Sequence, residues 1–354
     1  MKSISFFINT LGAAGGTQRV LTTLANLLVE DYLVSILILN EDKPFFPLNP
    51  RVNLRLLKPH ANSKAAQIIK LNKLIYKELK SSSCDYYISL DSNSILFQSL
   101  YLPRKTRLLV WEHFSLSKNS NKFLFRISRY YATKRAWAIV LLSQVEKKDW
   151  LKRYKINENK LKHIYNPITI GEIKNYDSNQ LYANKKVLAI GNNIHVKGFD
   201  YLIQAWSLLE KKDWILELIG FKEKEQEMLK DFMAAYEFKN EVIIGGRISD
   251  IRQKYLESSI YCLCSRNEAT PLVIIESQYA GLPAVLFDNC PGALELLNDS
   301  GIVVAYNHVH LLSKAIAELI NSKKTFEQIS FKAKQNADRF NQQTFKSKWK
   351  QLLN

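Results

Sequence analysis

Lys186-Val187-Leu188-Ala189-Ile190-Gly191 decides how this chain is organised. It is a short apolar run closed by a glycine, the pattern of a buried parallel strand feeding a turn. It follows a pause. The run His163-Ile164-Tyr165-Asn166-Pro167-Ile168 is succeeded by a polar stretch from Asn175 to Asn184. Upstream of the pause, β-rich and helical segments already alternate. Ser3 to Ile8 reads as a strand, Gly12-Ala13-Ala14-Gly15-Gly16 as a turn, and Thr17 to Val29 as a helix with Val20, Leu21, Leu24, Leu27 and Leu28 on one face. Further strands are expected at Val34–Leu39, Tyr86–Leu90, Arg107–Trp111 and Ala138–Leu142. Downstream, the alternation restarts at Lys186 and continues through Trp214–Ile219, Glu241–Ile244, Ile260–Cys264 and Ala284–Phe287. The sequence therefore predicts two Rossmann-like α/β halves joined near residues 166–185.

Composition is consistent with that reading. The 354 residues are 47% apolar and 23% charged, close to globular averages. Disordered, collagen-like and low-complexity chains are excluded. Cys84, Cys262, Cys264 and Cys290 have neither disulfide-scaffold density nor paired zinc spacing, so a reduced, cytoplasmic setting is expected. The first residues show no signal-peptide pattern. The longest apolar stretch, Trp137 to Leu142, falls far short of the ~18 residues of a membrane-spanning helix.

Charge is unevenly placed. The net charge is +17, and residues 1–170 carry 27 Lys and Arg against 11 Asp and Glu. Residues 171–354 are close to neutral, with 23 against 22. A basic half beside a neutral half implies a surface that meets something anionic: nucleic acid, an acidic membrane leaflet or a phosphorylated substrate. Two segments supply much of the excess. Lys64 to Lys77 is a basic amphipathic helix candidate whose apolar stripe is interrupted by Asn72. Lys118 to Arg135 interleaves basic residues with Phe123, Phe125, Tyr130 and Tyr131. Such helices suit an anionic membrane surface. They equally suit a solvated face packed on a sheet.

Three motifs carry candidate chemistry. Glu268 and Glu276 stand eight residues apart in Ser265-Arg266-Asn267-Glu268-Ala269-Thr270-Pro271-Leu272-Val273-Ile274-Ile275-Glu276. Thr270 as N-cap and Pro271 as first helical residue would start a helix at the carboxyl end of a strand, where doubly wound folds bind ligands. The amides of Leu272 and Val273 would then face an anion such as a phosphate. Both glutamates are otherwise ordinary surface carboxylates. Gly191-Asn192-Asn193-Ile194-His195-Val196-Lys197-Gly198 follows a strand, and Lys197 there can set a point charge on a diphosphate. Gly15 and Gly16, at the first strand–helix junction, permit close backbone approach. His308 and His310 show no third ligand, and no metal is expected.

Taken together these motifs resemble family 4 retaining glycosyltransferases, enzymes of the GT-B architecture with two Rossmann-like domains and a cleft between them. The resemblance is strongest from Gly191 to Val304, including Gly245-Gly246-Arg247 and Gly281-Leu282-Pro283. Gly15-Gly16-Thr17-Gln18-Arg19-Val20 is similar to the family's first glycine loop. Trp111-Glu112-His113-Phe114 resembles the segment with its acceptor-side histidine, and Asn166-Pro167 the domain junction. The resemblance implies an acceptor domain over 1–167, a nucleotide-sugar domain over 168–339, and a final helix near 340–354 able to pack back on the first.

It further implies roles. Glu276 would bind ribose hydroxyls and Glu268 the donor sugar. Lys197, with the amides of Leu272 and Val273, would hold the diphosphate, and Arg247 and Ile248 would line the base. Gly15 and Gly16 would approach the donor, and His113 the anomeric carbon. Two positions depart from the family: Asn192 stands where arginine is usual, and Gln18 where glutamate is frequent. The implied activity is hexosyl or N-acetylhexosaminyl transfer from a nucleotide-sugar, UDP-linked by resemblance, without cofactor or metal. The implied acceptor is a saccharide, lipid-linked and held near an anionic cytoplasmic membrane face, in cell-envelope polysaccharide synthesis. A non-catalytic nucleotide-binding relative is the alternative. Nucleic-acid binding ranks last, because no nucleic-acid-binding signature is present.

Overall fold

A computed structural model describes residues 1–41, 43–116, 123–210, 213–248 and 250–354. The chain forms two compact units. Unit 1 comprises Met1–Asn166 with Gln343–Asn354, and unit 2 comprises Pro167–Gln342. Unit 1 contains β1 (Ser3–Ile8), α1 (Gly16–Leu28), β2 (Leu33–Ile38), β3 (Asn53–Leu56), α2 (Lys64–Ser81), β4 (Tyr86–Ser89), α3 (Ile95–Gln98), β5 (Arg107–Trp111), α4 (Phe123–Arg135), β6 (Ala138–Leu141), α5 (Gln144–Arg153) and β7 (Leu161–His163). Unit 2 contains α6 (Ser178–Ala183), β8 (Lys186–Ile190), α7 (Ile194–Lys197), α8 (Phe199–Ser207), β9 (Ile215–Phe221), α9 (Glu223–Met233), β10 (Glu241–Gly246), α10 (Arg252–Leu256) and β11 (Ile260–Leu263). It continues with α11 (Leu272–Tyr279), β12 (Ala284–Phe287), α12 (Pro291–Leu297), β13 (Gly301–Val304), α13 (Val309–Asn321) and α14 (Lys323–Ala337), before α15 (Gln342–Leu353).

Both sheets are parallel throughout. The first has the order β3-β2-β1-β4-β5-β6-β7 and the second β10-β9-β8-β11-β12-β13. This is a pair of doubly wound Rossmann-like domains. The order in which successive strands are added reverses between β1 and β4 in one sheet and between β8 and β11 in the other. At such switch points the loops leaving adjacent strands diverge to opposite faces and open a crevice at their carboxyl ends.

The apolar periodicity explains the packing. Every residue of β1 is buried, and Val20, Leu21, Leu24, Ala25 and Leu28 turn one face of α1 inward. Each such valine or leucine side chain contributes roughly 1.5–3 kcal/mol on burial. Asn72, which breaks the stripe of α2 in sequence, is itself buried on the inward face. Its amide donates to Ile68 O (2.9 Å) and Phe97 O (2.8 Å) and its oxygen accepts from Leu100 N (2.8 Å). The interruption is thus a bonded polar clamp that ties α2 to α3 and to the residues just after it. Of the second basic segment, residues 118–122 lie outside the described residues, and the remainder forms α4. Among the described residues no helix is long and apolar enough to cross a membrane.

The terminal helix α15 belongs mostly to unit 1. Trp349 packs edge-on against Trp111 with centroids 4.9 Å apart. Lys346 and Lys350 pair with Asp31 (2.9 and 2.6 Å), and both hold its carboxyl below the usual range. Lys2 Nζ donates to the carbonyls of Leu353 and Asn354.

Candidate active site

In unit 2, β8 and β11 are neighbours on either side of the switch point. Their carboxyl ends carry the two strongest sequence motifs. After β8 the chain passes Gly191 and Asn192, and Asn193 caps α7 by accepting from Val196 N (2.9 Å). Lys197 closes this one-turn helix. A Cβ on Gly191 would come within 2.6 Å of Lys197 Cγ, so the glycine leaves room for the lysine stem. Gly198 takes a left-handed backbone (φ +65°), and a Cβ there would lie 1.9 Å from the carbonyl oxygen of Cys264. That contact seats the α7–α8 turn against the end of β11.

The loop after β11 brings Glu268 to Lys197, and the two form an ion pair, most of each side chain being buried. Ser265 Oγ donates to the same carboxylate oxygen (2.9 Å). Glu276 lies inside α11 and is fully buried. Thr169 Oγ1 donates to one of its oxygens (2.5 Å) and Tyr255 OH to the other (2.9 Å). The structure corrects the helix start: Pro271, not Thr270, is the N-cap, and α11 begins at Leu272. Pro271 has an extended backbone (ψ 123°), outside the helical range required of a first helical residue. Leu272 and Val273 become its first two helical residues, and their amides fall in the first turn, where no carbonyl of the same helix precedes them. Arg247 is exposed and Ile248 half-buried just after β10.

Arg266 does not stand in for an arginine at Asn192. Its guanidinium forms a two-pronged ion pair with Asp200 (2.7 and 2.6 Å) and donates to His195 O (2.6 Å). It also lies over the Tyr201 ring at 4.1 Å. The Asp200 hydrogen bond raises its pKa further.

In unit 1 the carboxyl ends of β1 and β5 carry the other expected residues. Gly15 is the N-cap of α1 and Gly16 its first residue. Gln18 reaches back over the loop toward Thr10 O (3.4 Å). His113 follows β5, with its ring 4.5 Å from that of Trp111. Its Nε2 is shielded from solvent and has no hydrogen-bond partner among the described residues. Burial pushes the imidazole down to about 3, so it is neutral at physiological pH.

Next to it Glu112 is buried. It accepts from Ser92 N (3.1 Å), from Ser92 Oγ, and from Phe114 N (3.1 Å). Burial, then the nearby Asp91, push its carboxyl up to about 7. Glu112 thus ties the loop after β4 to the loop bearing His113.

The structure therefore brings Lys197, Glu268 and the start of α11 together in unit 2, and places Gly15, Gly16 and His113 in unit 1. Sequence reasoning missed the supporting groups Thr169, Tyr255, Ser265, Asp200, Glu112 and Ser92. Ser265 was readable, since it stands three residues before Glu268. Thr169 and Tyr255 reach Glu276 across separations of 107 and 21 residues, which no local pattern signals.

Known families match this arrangement. The family described as glycosyl transferases group 1 matches residues 174–336, and Glycosyltransferase Family 4 matches residues 14–172. A Haemophilus influenzae protein named as an uncharacterized glycosyltransferase is 32% identical, with both chains covered over their full length. The chain is a family 4 glycosyltransferase. Another relative of this glycosyltransferase, 27% identical over all of this chain and 98% of its own, is a Campylobacter jejuni enzyme. That enzyme is named as an α-1,4-N-acetyl-D-galactosaminyltransferase acting on GalNAc-α-(1→4)-GalNAc-α-(1→3)-diNAcBac-PP-undecaprenol. The GT-B fold of the glycosyltransferase is that of Anabaena HepE, solved in complex with UDP-glucose, at a TM-score of 0.80, 18% identity, and 100% and 99% coverage.

Proposed function

We propose that this glycosyltransferase moves a hexose or N-acetylhexosamine from a UDP-sugar to a lipid-linked saccharide with retention of configuration. The observation that carries the reading is the Lys197–Glu268 pair at the β8–β11 switch point, with Glu276 one turn into the adjoining helix. In this reading Lys197 and the first amides of α11 face the donor diphosphate. Glu268 meets sugar hydroxyls, Glu276 the ribose, and Arg247 and Ile248 the base. The ion pair then exchanges partners on binding: the ammonium turns to phosphate and the carboxylate to hydroxyls.

As the bond from the anomeric carbon to the diphosphate breaks, negative charge builds on the leaving oxygen, where Lys197 and the amides stabilise it without a metal. The acceptor oxygen bonds to the same carbon, and its proton passes to the departing phosphate. Gly15 and Gly16 serve the donor, and neutral His113 the anomeric carbon. The polyprenyl-linked acceptor of the Campylobacter relative supports a lipid-linked substrate. The basic charge of residues 1–170 supports docking at an anionic cytoplasmic membrane face, in cell-envelope polysaccharide assembly.

The test is transfer from a panel of UDP-, GDP-, ADP- and CMP-sugars to a polyprenyl-diphosphate saccharide. A UDP-sugar should be used, and Glu268→Ala should lose activity by on the order of a thousandfold with an unchanged melting temperature. Full activity in that variant would sink the site assignment.

A further inference from the structure

α4 is built inside out. Its inward face consists of Ser128, Arg129, Ala132 and Thr133, all buried. Its outward face carries Phe123, Leu124, Ile127 and Tyr130, exposed to 71%, 55%, 37% and 56%. The usual segregation puts apolar groups inward and polar groups outward, whereas here three of the four buried side chains are polar and four large apolar ones face out. The reversal is anchored. Arg129 donates to Leu116 O (2.6 Å) and Ser115 O (3.3 Å), and Leu96 N donates to Ser128 Oγ (3.1 Å). The helix therefore cannot roll to hide its apolar face without breaking these buried bonds.

The patch extends beyond the helix. Tyr131 OH donates to Ser99 O (3.1 Å), which places the loop with exposed Leu100 (38%) and Tyr101 (54%) beside α4. Single exposed apolar side chains are ordinary, but a grouped set marks a contact surface.

Charge identifies the partner. Arg126, Lys134 and Arg135 are exposed on the same helix, and Arg104 and Lys105 on the adjoining loop. Lys134 also reaches over the Tyr130 ring, at 5.2 Å. From Ser92 to Val145 the only acidic residue is Glu112, which is buried. A second copy of this chain would bring like charge against these cations. A bilayer leaflet with anionic headgroups offers the complement on both counts: phosphates for the cations and an acyl boundary for the apolar tips.

We propose that the outward face of α4 with the 99–101 loop is the membrane-insertion surface of this enzyme, entering an anionic leaflet through Phe123, Leu124, Ile127 and Tyr130. This rests on the lipid-linked acceptor reading and adds to it. Charge attracts unit 1 to the leaflet, and the apolar wedge retains it there. Salt separates these contributions, because ionic strength screens the first and not the second.

The experiment is flotation of the full chain with phosphatidylglycerol/phosphatidylcholine vesicles and with phosphatidylcholine alone, before and after a high-salt wash. Wild type should bind the anionic vesicles and stay partly bound after the wash. A Phe123→Ser/Leu124→Ser/Ile127→Ser/Tyr130→Ser variant should bind at low salt yet elute, with salt-resistant partitioning lower by at least about tenfold. These side chains are exposed, so its melting temperature should hold. Equal retention of the variant after the wash would overturn the α4 surface and leave membrane docking by charge intact. No flotation of wild type even at low salt would overturn both. A wild-type dimer that the variant converts to monomer, with no lipid dependence, would assign the patch to self-association instead.

Discussion

The two switch points of this glycosyltransferase are built from opposite materials. In unit 2 the crevice residues are charged and already paired: Lys197 with Glu268, Arg266 with Asp200, and Glu276 with two hydroxyls. In unit 1 the corresponding groups are buried and held close to neutrality, His113 by burial alone and Glu112 by burial and Asp91. The contrast fits the proposed division of labour. A nucleotide diphosphate needs fixed charge and preorganised hydroxyl contacts. A sugar hydroxyl approaching an anomeric carbon needs an uncharged hydrogen-bonding group in a dry setting.

The contrast can be tested most strongly through pH. His113 has a folded pKa near 3, below the ~6.5 of the free imidazole, so it contributes stability that rises as pH increases between those values. Glu112 is shifted up to about 7, above the ~4.3 of a free glutamate, so its contribution falls as pH rises through about 4.3 to 7. The two oppose one another over most of that window. Glu112→Gln should remove the falling component and leave a profile that rises toward neutral pH. Its slope should differ from wild type by up to about 3 kcal/mol across the window. Denaturant titrations from pH 4 to 7.5 measure this, and parallel profiles for the two proteins would count against a neutral buried Glu112.

A smaller effect is expected in unit 2. Asn192 stands where arginine is usual in the family, and Arg266 is committed to Asp200. Asn192→Arg should therefore tighten nucleotide-diphosphate binding by about fivefold, the worth of one partly exposed charge-assisted contact. Fluorescence competition with UDP measures it. Unchanged or weaker binding would show that this site holds its phosphates without that position.

The two regions also differ in how far the sequence revealed them. The strands that flank both switch points are mostly apolar, although β1 carries Ser3 and Ser5 among its six residues, and they were legible with ends shifted by a residue or two. The strands that went unread are β3, β7 and β13. β3 and β7 are the two edges of the first sheet, where one face or one side meets solvent and the apolar run is diluted: Asn53-Leu54-Arg55-Leu56 alternates, and Leu161-Lys162-His163 has one apolar residue. β13 is the edge of the second sheet and is only half-buried.

In the site, Lys197, Glu268 and Glu276 were legible because each lies within a few residues of a strand end or helix start. Their partners were not, because Thr169 and Tyr255 meet Glu276 only through tertiary packing. Asn72 and α4 mislead a periodicity reading for a related reason. In both, polar side chains face inward and are satisfied by backbone carbonyls or amides of other segments, which a helical wheel does not contain.

The most direct test of the account is calorimetric titration of UDP into wild type, Glu276→Gln and His113→Ala, with melting temperatures confirming that each is folded. The account predicts that Glu276→Gln weakens UDP binding by at least about tenfold, since a ribose contact is lost, while His113→Ala stays within about twofold of wild type. Wild-type affinity in Glu276→Gln, or a loss confined to His113→Ala, would contradict the assignment of the nucleotide to unit 2.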